Sequence, residues 1–75
     1  MSKEKIKAAI TSRCVEALIG FGYSDVTIDN IFSDAVYSQL FSNMLTQMEL
    51  TNSSAVTMRQ ELLERIDEEQ KPFGE

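Results

Sequence analysis

Residues 28 to 48 read Ile-Asp-Asn-Ile-Phe-Ser-Asp-Ala-Val-Tyr-Ser-Gln-Leu-Phe-Ser-Asn-Met-Leu-Thr-Gln-Met, and whether they make one helix or two decides the fold. At about 100° per residue, Ile28, Ile31, Phe32 and Ala35 gather on one side of a helix. Tyr37, Leu40, Phe41, Met44, Leu45 and Met48 gather on nearly the opposite side. The phase reverses between Ala35 and Tyr37. Two arrangements accommodate this: one long helix buried on opposite faces at its two ends, or a helix that stops near Ser33-Asp34 and a new one that starts there. Ser33 is a good N-cap and Asp34 suits a first turn, which favours the break. The stretch contains no Gly or Pro, so a long helix also fits.

The second half of this stretch has another property. Residues 35 to 48 contain no charged side chain, in a chain where 25% of residues are charged. A helix on a solvated surface normally carries Lys, Glu or Arg on its outer face. This one offers Ser38, Gln39, Ser42, Asn43, Thr46 and Gln47. Uncharged polar groups lie in water or go into a contact at modest desolvation cost, so the pattern predicts that something covers the helix. The apolar stripe Tyr37, Leu40, Phe41, Met44 and Met48 has two readings. It is core, with Met filling irregular space, or it is interface, where aromatic residues and Met are enriched and charge is depleted. These five are the candidate interaction residues.

Upstream, Ser2 is a natural N-cap for a helix over about 3 to 19. Its expected inner face is Ile6, Ala9, Ile10, Arg13, Cys14, Ala17, Leu18 and Phe21. Gly20-Phe21-Gly22 stops it, since Gly readily takes the left-handed conformation of a C-terminal cap. Phe21 and Tyr23 are expected to fold back against the helices. Ser24-Asp25-Val26-Thr27 supplies capping side chains for a short helical turn near 27 to 33. Downstream, Thr51-Asn52-Ser53-Ser54 is a polar turn, with Ser53 or Ser54 as the expected cap of a helix over about 54 to 70. Ala55, Met58, Leu62, Leu63 and Ile66 form its inner stripe, and Glu61, Glu64, Arg65, Glu68 and Glu69 are expected outside. Glu61 and Arg65 have the spacing of a favourable i,i+4 pair. Pro72 ends the helix, and residues 70 to 75 are expected to fray.

The expected fold is therefore all-α: one domain over residues 1 to 75, a small bundle of three main helices near 3–19, 34–50 and 54–70 plus the short turn. Seventy-five residues bury only about 60% of their unfolded surface, so such a core is marginal alone and calls for a staple or a partner. Cys14 is the only cysteine and there is no His, which removes an internal disulfide and the usual zinc ligand sets. A homodimer packed through residues 34 to 50 is the expected remedy; a permanent heterologous partner serves equally. No secretory leader or membrane span is readable, and the lone thiol fits a reducing cytoplasm.

Charge is uneven. Residues 1 to 23 hold four bases against two acids, residues 24 to 75 three bases against ten acids, and the total is −5. That field repels phosphates at long range. A general base is also missing, for there is no His. No Ser stands in a Gly-x-Ser-x-Gly turn, and Gly20 and Gly22 form no phosphate loop. Cys14 falls on an apolar helix face and reads as a buried structural thiol, and Asp67-Glu68-Glu69 as a solvated helix end. No enzyme, cofactor or metal is expected.

One resemblance bears on nucleic acid. Ala8-Ala9, Gly22-Tyr23, Thr27-Ile28, Ile31, Ala35-Val36 and Leu40-Phe41 resemble the opening of TetR-type DNA-binding domains, in which a Gly-Tyr follows helix one and a Leu-Tyr pair lies on the recognition helix. The resemblance implies a degenerate helix-turn-helix regulator as the alternative function. The chain departs from the pattern in lacking the turn glycine and in having no Lys or Arg on the corresponding recognition helix, where base and phosphate contacts lean on those side chains. The favoured reading is a small acidic cytoplasmic protein–protein interaction module, self-associating, and a regulator or inhibitor of a larger protein.

Overall fold

The chain breaks its helix at Asp34. In the computed structural model, which describes residues 2 to 71, four helices follow one another: α1 (Lys3–Gly20), α2 (Asn30–Ser33), α3 (Ala35–Gln47) and α4 (Ser53–Gln70). There is no strand among the described residues. Asp34, not Ser33, is the cap of α3. Its backbone is extended at ψ 126°, and its carboxylate accepts the N–H groups of Val36 at 2.9 Å and Tyr37 at 3.0 Å. A carboxylate does this better than a hydroxyl because it also answers the positive end of the helix dipole.

The short α2 is too short to stand by itself and is held at both ends by side chains. Thr27 and Asn30 form a reciprocal box: the Asn30 Oδ1 accepts the Thr27 N–H at 2.8 Å and the Thr27 hydroxyl oxygen accepts the Asn30 N–H at 3.1 Å. At the other end the Gln70 amide donates to the carbonyls of Phe32 at 2.7 Å and Ser33 at 3.3 Å. Gln70 is thus the last residue of α4 and is hydrogen-bonded to α2; of the tail expected over 70 to 75, residues 72 to 75 lie outside the described residues.

α4 touches all three other helices, whereas α1 and α3 meet only lightly. The cap of α4 is Asn52, which accepts from the Ser54 and Ala55 N–H groups. The serines expected there lie one and two residues too late. From α4, Arg59 reaches back to donate to the carbonyls of Met48 at 2.7 Å and Leu45 at 3.4 Å, closing the C-terminal end of α3. Glu61 does not pair along its own helix with Arg65. It takes Lys7 of α1 at 2.7 Å, and Arg65 instead stacks 3.8 Å over the Phe32 ring while pairing with Glu69.

Ile10, Cys14, Val15, Leu18, Val26, Ile31, Phe32, Phe41, Leu45, Met58, Leu62 and Ile66 make one core. At its centre the Phe32 and Phe41 rings meet edge to face, centroids 5.4 Å apart. Relative to the pattern expected from sequence, α1 is turned by about 70° about its axis. Thr11 and Val15 are buried, while Ala9 and Arg13 are exposed. Thr11 tolerates burial because its hydroxyl donates to the Lys7 carbonyl at 2.8 Å. α3 is turned by about 50° in the same sense of exchange. Ser38 is buried, with its hydroxyl on the Ala35 carbonyl, and Leu40 and Met44 are left at the margin.

Replacing Phe41, which has no exposed surface, by Ala is expected to cost about 3–5 kcal/mol, while Asp34→Ala costs about 1 kcal/mol. Urea unfolding followed by circular dichroism measures both, and a Phe41→Ala cost below that of Asp34→Ala would refute this account of the core. The Lys7 hydrogen bond holds the Glu61 carboxyl below its usual value, and the same bond raises the Lys7 ammonium. The Glu61 contribution is therefore present above the ordinary carboxylate range and lost as pH falls through the lowered value. Glu61→Gln should flatten the acid limb of the stability–pH curve, and an unchanged limb would count against the pair.

Candidate interaction face

α1 and α3 run antiparallel past each other, and the two rotations leave the outer edges of both apolar stripes facing across an open side of the bundle. Two grooves result. The upper one, about 350 Å³, is lined by Leu18, Phe21, Tyr23, Leu40, Asn43, Met44 and Gln47. A lower one, about 400 Å³, is lined by Arg13, Cys14, Ala17, Met44, Met48, Glu49 and Leu50. Met44 lines both and so stands between them.

The end of α1 shapes the upper groove. The Tyr23 N–H donates to the Leu18 carbonyl and the Gly22 N–H to that of Ile19, each at 3.0 Å, the bond pair of a Schellman cap. Gly22 takes φ +108° to make this turn, which an L side chain there would strain. The turn brings Tyr23 over Tyr37, ring centroids 6.1 Å apart and edge to face. Phe21 is swung outward. It is 75% exposed, the most of any large apolar side chain among the described residues, and does not fold back as expected.

The five candidate residues separate. Leu40, Met44 and Met48 are half-buried and line the grooves. Tyr37 is half-buried under Tyr23. Phe41 lies wholly in the monomer's core. The uncharged residues of α3 divide as well: Ser38 is buried, while Gln39, Asn43, Thr46 and Gln47 are exposed, with Val36 at 61%. The outward surface of α3 is thus uncharged and borders an apolar groove. Sequence reasoning missed Phe21, Ala17 and Leu50 as parts of this face. A signal for Phe21 was present, since a residue between Gly20 and Gly22 sits where the chain leaves its helix.

Other chemistry is sparse. No group of three or more His, Cys, Asp or Glu side chains is placed to hold a metal ion among the described residues. No described helix is long and apolar enough to cross a membrane. α2 and α3 meet at the single residue Asp34, where a helix-turn-helix places three to four. Comparison with protein families, curated proteins and solved structures finds no match to this chain.

Cys14 is 2% exposed on the floor of the lower groove, and burial pushes its thiol above the ordinary value. Labelling by a disulfide reagent at neutral pH is expected to be slow and to rise to the free-thiol rate on adding urea. Fast labelling of the folded protein would place the thiol in solvent.

Proposed function

We propose that the protein is an acidic protein–protein interaction module that works by surface contact rather than catalysis. It self-associates through α3 and the adjoining α1/α3 grooves, in a reducing cytoplasm, and acts as a regulator or inhibitor of a larger protein. One observation carries this reading. Leu40, Met44 and Met48 pack against the edge of the core yet stay half-exposed, lining open grooves with Ala17, and the helix beside them exposes only uncharged side chains.

Two arguments support a second copy as the contact. At net charge −5, copies repel unless they meet where charge is absent, and the outward side of α3 is such a place. Amides and hydroxyls each present donors and acceptors, so a face of Asn, Gln and Thr pairs with its own symmetry mate, which a face of one charge sign cannot do. The helix-turn-helix alternative finds no support in α3, which has no base to set against phosphate.

The exposed Asn43 provides a test that leaves the core intact. Light scattering or sedimentation should give the wild type twice the 8.5 kDa chain mass, and Asn43→Glu should return the monomer with unchanged helical signal. A wild type that stays monomeric at hundreds of micromolar would overturn self-association.

A further inference from the structure

Self-association through this face leaves a question of fit: what fills the lower groove. Its lining is chemically specific. Met44 and Met48 line it with two thioether side chains above the buried Cys14, and Arg13 brings a guanidinium that forms no salt bridge among the described residues. Thioether and thiol sulfur favour the edges and faces of aromatic rings, and a guanidinium favours an aromatic face. At about 400 Å³ the groove is also within the size range of pockets that take a compact apolar group. The lining thus suits an aromatic ring. The same face of the same chain carries an unpartnered one, Phe21, 75% exposed at the edge of the upper groove.

The spacing allows the two to meet. Ala17 and Leu18 flank Met44 on α1, one lining the lower groove and the other the upper. Phe21 lies four residues beyond Ala17 and Arg13 four residues before it, each about one helical turn. A twofold axis lying in the plane of the face, through the Met44 region and across the direction of α1, therefore carries Phe21 of one copy onto the lower groove of the other, and the reverse. We infer that the second copy is held by reciprocal insertion of Phe21 into the partner's groove between Arg13, Ala17, Met44 and Met48. This rests on the self-association reading and adds its anchor. Such an interface is isologous, so it closes at two copies, and a large apolar side chain seated in a pocket is the kind of group that dominates binding.

The chain has no Trp, so Phe21→Trp installs a unique fluorophore at the proposed anchor. Expected on association are a blue shift of its emission that follows protein concentration and retention of the dimer. Phe21→Ala should raise the dimer Kd roughly 30-fold or more, the size of a hot spot. Because Phe21 is exposed in the monomer, thermal unfolding of dilute Phe21→Ala should match the wild type. Ala17→Trp, which fills the groove while leaving Phe21 in place, should dissociate the dimer as well. If the wild type dimerises and Phe21→Ala dimerises equally, the anchor is refuted while self-association stands. A monomeric wild type at hundreds of micromolar refutes both. Emission at Phe21→Trp that stays solvent-like within a demonstrated dimer also refutes the anchor.

Discussion

Phe32 and Phe41 stand nine residues apart, about 180° around a straight α-helix, and so could never share one side of it. Everything else in the fold depends on bringing them together. Asp34 does this by leaving the helical conformation and accepting the second and third N–H groups of a new helix. α3 then turns back so that the two rings meet at 5.4 Å. A short connection is enough because the cap satisfies, within one side chain, two of the donors that a helix start would otherwise leave unpaired. α2 in turn survives at four residues because Thr27 and Gln70 satisfy its ends.

With that corner made, α4 becomes the strut. Its Arg59 and Gln70 close the carbonyl ends of α3 and α2, and its Glu61 ties down Lys7 of α1. All three anchors lie on the flanks of one buried stripe, Met58, Leu62 and Ile66. Having α4 touch everything comes at the expense of the contact between α1 and α3. Thr11, Val15 and Ser38 are buried. Ala17, Leu40 and Met44, on the far edges of their stripes, are left lining an open side.

That open side connects the packing to the proposed role. A small domain has too little interior to hide every apolar residue that its helices require. Here part of the surplus, Phe21, Tyr23, Leu40, Met44 and Met48, lines adjoining grooves beside the only helix of more than four residues among those described that lacks charge. A face of sulfur, aromatic and amide groups gives up its water more readily than a charged one and tolerates its own image. The net charge of −5 elsewhere opposes unspecific crowding of copies.

Much of this was legible in the residues alone. The four helices, the break near residue 34, the stop at Gly22 and most of the core follow from periodicity and capping chemistry, which act within a few residues along the chain. Which residue caps a helix was resolved less sharply. Asp34 and Asn52 displaced neighbouring serines because a carboxylate or amide oxygen reaches two N–H groups at once. The sequence by itself also established that residues 35 to 48 carry no charge, hence that this helix differs from a solvated one. Only the tertiary structure decided how far each helix rolls about its axis. That angle depends on where α4 lies against Thr11, Ser38 and Lys7, contacts between residues up to about 54 positions apart that no local pattern encodes. The roll put Phe41 in the core, left Met44 and Met48 on the grooves and turned Phe21 out to solvent.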